Sequence, residues 1–221
     1  GMIYRIPMTA IIGDKGNGFY SYAYSVYTIL LLLSSYSLPL AVSKMVSAKA
    51  QLGQWRNVKR VFICAIAFAI GIGTTFGLIV LIGAQFFTRV FFHSELAAIA
   101  LRFMAPTILI MALLGVFRGF FQGLQNTLPT AVSQIVEGLI NAIMSVVFAY
   151  FLFDFGHGMD VASGTTDLGY AWGAAGGAIG TGAGALAGLI FCFILFVAYR
   201  KILAVNISRD KTGTQQEYGD I

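Results

Sequence analysis

The sequence predicts an all-α integral membrane protein, a polytopic helix bundle, from three observations. Hydrophobic residues make up 58% of the 221 positions and charged residues only 10%, whereas soluble domains carry about 25% charged residues. The mean hydropathy is +0.82. The apolar runs are continuous, whereas the strands of a membrane barrel alternate over about 10 residues. The composition therefore excludes a soluble domain, a disulfide scaffold and a disordered tail.

The first predicted element is a partial helix over residues 1–12, in which Arg5 and Pro7 interrupt an apolar stretch. A helix of this length extends about 18 Å, which is too short for a hydrocarbon layer of about 30 Å. We therefore expect this helix to begin before Gly1. The polar residues 13–18 predict a turn that separates it from the next helix.

Five further segments are long enough to cross a membrane, because a spanning helix needs roughly 20 mainly apolar residues. They are residues 19–41, 61–87, 96–117, 131–153 and 170–199. Pro39 predicts a kink near the end of the first of these spans. The remaining residues, 200–221, end in a polar stretch and predict a linker outside the membrane.

The distribution of Lys and Arg predicts how the spans are oriented, because short basic loops tend to be cytoplasmic. Ten of the 14 basic residues fall on one side of the predicted bundle: Lys44, Lys49, Arg56, Lys59, Arg60, Arg118, Arg200, Lys201, Arg209 and Lys211. The longest loop of the opposite side, residues 154–169, contains three Asp and no basic residue. We expect the basic side, with the N-terminus and the C-terminal linker, in the cytoplasm.

A polar set on the span 131–153 is the first candidate binding surface. Gln134, Glu137 and Asn141 are spaced i, i+3 and i+7, so they project from one side of a helix. An ionisable side chain at membrane depth costs about 2.5–3.5 kcal/mol on insertion scales and usually faces a bundle interior or a wet cavity. Two interpretations stay open, namely hydrogen bonds between packed helices and the wall of a binding cavity.

A row of tyrosines marks the predicted outer end of the span 19–41. Tyr20, Tyr24 and Tyr27 lie at i, i+4 and i+7 and share one helical face. Amphipathic rings favour the membrane interface, which explains the row as an aromatic belt. A cavity wall that stacks against sugars is the alternative, with Tyr24 and Tyr27 as candidate substrate-binding residues.

Glycines at intervals of four residues predict close helix packing by the last span. Such spacing lets helix backbones approach each other in lipid. A phosphate-binding loop is excluded because no Lys-Ser/Thr pair and no strand accompany the glycines. The two series are Gly169, Gly173 and Gly177, and Gly180, Gly184 and Gly188.

No pattern of catalytic or metal-ligating residues is evident. His93 and His157 stand in separate predicted loops, without Cys or carboxylate at metal-ligand spacing. No nucleophile elbow is found, and the basic residues are scattered between apolar runs rather than gathered in a nucleic-acid-binding surface. We therefore expect no metal, no cofactor, no nucleic-acid partner and no enzymatic activity.

Three stretches carry a recognisable pattern: residues 4–16 (YRIPMTAIIGDKG), 38–47 (LPLAVSKMVS) and 117–137, which begins FRGFFQGLQN. Together they resemble the polysaccharide biosynthesis and stage V sporulation protein B-like branch of the multidrug/oligosaccharidyl-lipid/polysaccharide (MOP) flippase superfamily. The Arg-Gly-Phe-Phe-Gln-Gly motif of residues 118–123 is the most specific part of this resemblance.

The resemblance implies a MATE-like transporter of two pseudo-symmetric six-helix lobes around a central cavity, which opens alternately to either side. Residues 1–199 would form the N-terminal lobe, with its first helix truncated, and residues 200–221 the cytoplasmic linker to a missing second lobe. The implied function is to flip a lipid-linked oligosaccharide or peptidoglycan precursor across the bacterial plasma membrane, in cell-wall synthesis or sporulation. Its partners would be that substrate, membrane lipids and the second lobe.

The resemblance also implies roles for two charged residues. Related flippases have an intramembrane Arg that meets the substrate diphosphate, and Arg5 takes that role here, since a guanidinium offers two parallel hydrogen bonds. Glu137 would be either a counter-ion in the cavity or a proton-coupling group. A cation-coupled multidrug exporter of the same superfamily and a non-transporting membrane scaffold stay open as alternatives; Arg5 favours the carrier of a diphosphate.

Overall fold

The computed structural model describes residues 5–35, 37–210 and 212, without the side chains of Arg5 and Ser35. These residues form six helices and no strand: α1 (Arg5–Ser35), α2 (Leu38–Gln51), α3 (Trp55–Phe92), α4 (Ala97–Gly123), α5 (Leu128–Ser163) and α6 (Leu168–Ser208). By length and hydropathy, five stretches of the described residues could each cross a membrane, the first made of α1 and α2 together. The predicted all-α membrane bundle is confirmed.

Helix α1 consists of two helical arms that meet at Gly13. This residue has φ +63° and ψ −177°, a conformation that glycine adopts without steric cost. Met8 from the first arm and Tyr20 from the second both contact Gly177 of α6, although a straight helix would separate them by about 18 Å. The chain therefore bends sharply at Gly13. The turn expected over residues 13–18 is confined to this residue, because residues 14–18 are helical.

The expected span 19–41 is interrupted near its end. Helix α1 ends at Ser35 and α2 begins at Leu38. Pro39 lies in the first turn of α2, where its missing N–H removes no helical hydrogen bond. The kink expected at Pro39 is therefore a break between two helices.

The loop expected over residues 154–169 is mostly helical, because α5 extends to Ser163 and α6 begins at Leu168. The carboxylate of Asp160, on α5, accepts hydrogen bonds from the N–H groups of Leu168 (3.0 Å) and Gly169 (2.8 Å). The first N–H groups of a helix have no partner within it, and here a side chain of the preceding helix supplies one. At its other end α6 continues to Ser208, so the expected linker 200–221 begins as helix.

Helix α4 lies at the centre of the bundle and packs against α1, α2, α3 and α6. Its Gly115, Gly119 and Gly123 form a stripe that faces α2. A methyl group on Gly119 would lie 3.0 Å from the Cα of Pro39, and one on Gly123 2.7 Å from the Cβ of Val46. The absence of side chains at these positions lets the two backbones approach closely.

The last helix uses its glycines in two directions. Gly176, Gly180 and Gly184 face α5, and a methyl group on Gly184 would come within 2.6 Å of the Glu137 carbonyl oxygen. Gly177 instead receives side chains of α1, and Gly173 receives Ile12 of α1 and Phe153 of α5. The expected packing role is confirmed, and α6 joins α5 to α1.

The buried side chains form two clusters along the bundle, one around Tyr20 and Leu101 and the other around Phe62 and Phe120. Large apolar side chains on the outer faces of the helices remain exposed, among them Ile82 and Phe151. Such a surface is unfavourable in water and suited to lipid.

Candidate functional site

An ion pair joins α4 and α5 within the bundle. The Nη2 atom of Arg118 donates a hydrogen bond to Oε2 of Glu137 at 2.7 Å, and its Nε donates to Oγ of Ser133 at 2.9 Å. The two charged side chains are only 12% and 25% exposed. The Ser133 hydroxyl in turn donates to the carbonyl oxygen of Thr130 at 2.8 Å. Arg118 is therefore held against two successive turns of α5.

Arg118 is not a loop residue, contrary to the sequence-based expectation. It lies inside α4, five residues before the end of that helix at Gly123. A rise of 1.5 Å per residue puts it about 8 Å from the helix end. It is a part of the packed bundle and gives no information on loop charge.

The local packing explains why the motif of residues 118–123 presents Arg118 to α5. Gly119 and Gly123 contact α2, and Phe120 and Phe121 are buried in the cluster around Phe62. Arg118 and Gln122, four residues apart, share the remaining face of the helix. The motif thus combines one surface for α2, one for the core and one polar surface.

A cavity of about 380 Å³ borders this polar surface. Its polar lining residues come from α4 and α5, and the others are mainly apolar residues of α1, α2 and α4. Thr130 is 8% exposed, and its hydroxyl has no hydrogen-bond partner among the described residues. The lining residues are Leu31, Pro39, Leu40, Met111, Gly115, Arg118, Gln122, Thr130 and Gln134.

The polar set expected on α5 divides between two environments. Gln134 lines the cavity, and Glu137 pairs with Arg118 beside it. Asn141 instead accepts a hydrogen bond from the Ser145 hydroxyl at 2.8 Å and contacts Gly184 of α6. The structure brings Gln134 and Glu137 to one site, whereas Asn141 lies in the interface between α5 and α6.

The tyrosine row is present, with ring centroids 5.8 Å apart for Tyr20 and Tyr24 and 5.9 Å apart for Tyr24 and Tyr27. Only Tyr24 of the three reaches the surface, with 37% exposed, while Tyr27 is 3% exposed. Tyr20 is fully buried, and its hydroxyl shares a hydrogen bond with that of Thr181 at 3.2 Å. The side chain of Arg5 lies outside the described residues.

Sequence reasoning missed the part that Arg118, Ser133 and Thr130 play. Two signals could have found them. A carboxylate at membrane depth predicts a cationic partner, and Ser133 and Thr130 precede Glu137 by four and seven residues, on the same helical face. Among the described residues no group of three His, Cys, Asp or Glu side chains is placed to hold a metal ion.

Comparison with known proteins gives consistent matches over most of the chain. The model of a family described as polysaccharide biosynthesis protein matches residues 1–213. Stage V sporulation protein B of Bacillus subtilis (strain 168) is 26% identical over 207 residues, which cover 93% of this chain and 37% of that protein. Lipid II flippase MurJ of the same organism is 27% identical over 188 residues, covering 81% of this chain and 35% of that protein.

A third relative, the membrane protein YabM of the same organism, is 27% identical over 150 residues, covering 68% of this chain and 27% of that protein. The chain thus spans little more than a third of the length of the first two relatives. No solved structure gives a significant match.

Proposed function

Because the chain belongs to the polysaccharide biosynthesis protein family, we propose that it forms one lobe of a membrane flippase for a lipid-linked oligosaccharide or peptidoglycan precursor. One observation carries the proposal. A multi-pass helix bundle holds a partly buried Arg–Glu pair beside a cavity with a polar wall, in a protein whose outer surface is apolar. A relative of this chain is named as a lipid II flippase.

The chemistry of such a substrate explains why a polar cavity is needed. A charged, hydroxyl-rich headgroup crosses the hydrocarbon layer only if protein groups replace its water. The amides of Gln122 and Gln134 and the guanidinium of Arg118 offer hydrogen bonds along one wall. The apolar tail of the substrate stays in lipid, since the outer helix faces are apolar.

The proposed lobe comprises residues 1–199 together with the end of α6, which continues to Ser208, and the residues after α6 lead to a second lobe that closes the cavity from the other side. Alternating exposure of the cavity then requires rocking of the two lobes. The cytoplasmic side is the side of the basic helix ends, and the membrane is the bacterial plasma membrane.

The residues singled out in the sequence receive different roles in this proposal. Gln134 and Tyr24 contact the sugar, because both are exposed. Arg5 contacts the diphosphate, as the family resemblance implies. Glu137 fixes Arg118, and Asn141 and Tyr27 support the helix contacts around the site, because one is bonded within the α5–α6 interface and the other is buried.

The test is a flipping assay on the protein that contains this chain. It would be reconstituted into liposomes carrying a fluorescent lipid-linked oligosaccharide, with a membrane-impermeant reductant added outside. We expect the protein to expose inner-leaflet probe to the reductant, and Gln134→Ala to slow that exposure. Val161→Ala, at an exposed apolar position of α5, is the matched control and should flip at the unaltered rate.

Two results would contradict the proposal. If probe loss equals that of protein-free liposomes, the protein is not a flippase for this class of lipid, and the scaffold alternative gains support. If the liposomes instead extrude a cationic dye under an ion gradient, the multidrug exporter alternative is correct.

A further inference from the structure

We propose that Arg118 is a binding site for the phosphate group of a membrane lipid and that Glu137 is an internal anion that competes with this phosphate. The inference rests on the proposed function, because the phosphate would belong to the lipid-linked cargo. It adds a contact from the α4 motif to the one proposed for Arg5, and it explains why Arg118 has a carboxylate beside it.

Arg118 has hydrogen-bond donors that its present partners do not use. A guanidinium has five N–H donors in a planar fork. Within the described part of the chain, only two of them have acceptors, at Glu137 and Ser133. The same side chain lines the cavity. Two further N–H groups in a fixed plane match the oxygen spacing of a phosphate.

Other polar residues line the cavity together with this guanidinium. Besides Arg118, the polar residues that line the cavity are Gln122 of α4 and Thr130 and Gln134 of α5. The side-chain amides of Gln122 and Gln134 supply further N–H donors in the same cavity. These donors together suit an anion with several oxygens.

The apolar part of the cavity lining and the depth of Arg118 favour a lipid as the source of the phosphate. Leu31, Leu40 and Met111 line the same cavity, and Leu40 is 73% exposed, so the cavity offers apolar surface to acyl chains as well as donors to a phosphate. Arg118 is about 8 Å from the end of α4, a depth close to the headgroup layer. A lipid entering sideways would place its phosphate at Arg118 and its chains against Leu31, Leu40 and Met111.

Glu137 weakens the attraction between Arg118 and a phosphate. Its carboxylate, at 2.7 Å, cancels the charge of Arg118 and occupies one edge of the guanidinium. Since the phosphate would bind the remaining N–H groups, Glu137 competes with it through charge: the carboxylate reduces the net positive charge that attracts the phosphate, which limits the affinity. A carrier needs this limit, because a fully exposed cation in a low-dielectric cavity would hold an anion too tightly to release it. Neutralising Glu137 should thus strengthen binding, whereas neutralising Arg118 should abolish it.

The experiment measures lipid binding rather than transport. The protein that contains this chain would be placed in nanodiscs of phosphatidylcholine with a small share of phosphatidic acid, and the phosphatidic acid that it retains would be quantified by native mass spectrometry. We expect Glu137→Gln to raise its apparent affinity about tenfold, the change expected when one charged competitor is lost. Arg118→Gln should reduce retention to that of phosphatidylcholine.

Two further variants and a soluble ligand serve as controls for the binding measurement. Arg102→Gln removes an exposed Arg near the opposite end of α4 and should leave retention unchanged. The double variant Arg118→Gln/Glu137→Gln removes both charges and so tests for loss of binding without an unpaired buried ion. Inorganic pyrophosphate, added to nanodiscs of phosphatidylcholine alone, tests whether a soluble phosphate is the ligand.

Each outcome bears on the inference. Unchanged retention in Glu137→Gln and in the Arg118 variants would overturn it, and binding of pyrophosphate without phosphatidic acid would overturn the lipid source. If retention follows the expected order while the flipping assay is negative, the phosphate site stands and the flippase function fails. If flipping is observed but retention ignores both residues, only the phosphate site fails.

Discussion

Arg118 of α4 and Glu137 of α5 form an ion pair with 2.7 Å between Nη2 and Oε2, and this pair bridges two helices that otherwise meet mainly through α6. Both α4 and α5 pack extensively against α6, whereas their direct contact is small. The pair therefore fixes the relative position of α4 and α5 at the edge of the cavity.

Breaking this pair from either side should destabilise the protein. Glu137→Met and Arg118→Met each leave the other charged group partly buried without its partner, and we expect each to lose about 1.5–3 kcal/mol in the free energy of unfolding, typical of hydrogen bonds to charged groups. The double variant Arg118→Met/Glu137→Met should recover part of that loss, because it leaves no unpaired charge. Denaturant unfolding in detergent measures the cycle, and strictly additive effects would show that the two residues do not interact.

The contact between α5 and α6 depends on the absence of a side chain at Gly180. A methyl group there would collide with the backbone and hydroxyl of Ser145, so Gly180→Ala should lower stability by about 1–3 kcal/mol through overpacking. Gly138→Ala is the matched control, because nothing lies within 4 Å of the added methyl group, and it should raise stability by about 0.5–1 kcal/mol. Equal effects in thermal unfolding would contradict this packing.

Much of the fold could be predicted because hydropathy and glycine spacing are local properties of the sequence. The spans around α3 to α6 and the packing role of Gly180 and Gly184 follow from such patterns. The helix ends could not be predicted in the same way. Residues 154–163 contain charged and polar groups that are typical of a loop, but the carboxylate of Asp160 completes the start of α6 and so makes a short connection possible.

The candidate site was predictable on one helix only. Glu137 and Gln134 stand out because polar residues are expensive inside a membrane span. Arg118 does not, because a basic residue near the end of an apolar run is typical of a cytoplasmic loop. Its position depends on how tightly Gly119 and Gly123 let α4 pack against α2, which is a property of the folded bundle.

Asp160 should be needed for the start of α6. Its carboxylate also accepts a hydrogen bond from the Thr165 hydroxyl at 2.6 Å, so Asp160→Ala removes three bonds at once. We expect a loss of about 1–2 kcal/mol, as for other helix caps, with faster amide exchange at Leu168 and Gly169. Asp154→Ala, an exposed carboxylate six residues earlier on the same helix, should change neither quantity. Unaltered exchange in the Asp160 variant would show that the cap is dispensable.

The segment after α6 should detach from α3 in acid. Oδ2 of Asp210 accepts the Arg56 N–H at 3.0 Å, and its Oδ1 accepts the Thr212 hydroxyl at 2.6 Å. The hydrogen bonds from Thr212, and then that from the Arg56 backbone, lower the pKa of Asp210 below its ordinary value. Since the folded pKa is depressed, the stabilising contribution is present above about pH 4, the ordinary pKa of Asp, and is lost as the pH falls through the folded value.

Trp55 lies at the start of α3, so its fluorescence should report this detachment. The measurement uses a Trp172→Phe background, which removes the other Trp of the sequence. We expect an acid transition below about pH 4 that Asp210→Asn removes, because the amide does not titrate. If Asp210→Asn shows an acid transition in fluorescence with the same midpoint, another group than Asp210 causes the transition.

The orientation of the bundle can be tested at two short connections between helices. Thr166 lies between α5 and α6, on the side expected to be external, and Leu52 lies between α2 and α3, on the basic side; both are exposed. In a background without Cys64 and Cys192, we expect a membrane-impermeant maleimide to label Thr166→Cys in intact cells. Leu52→Cys should react only after the membrane is permeabilised, because basic segments stay in the cytoplasm. The reverse pattern would place the basic helix ends outside, and labelling of both in intact cells would contradict a stable orientation.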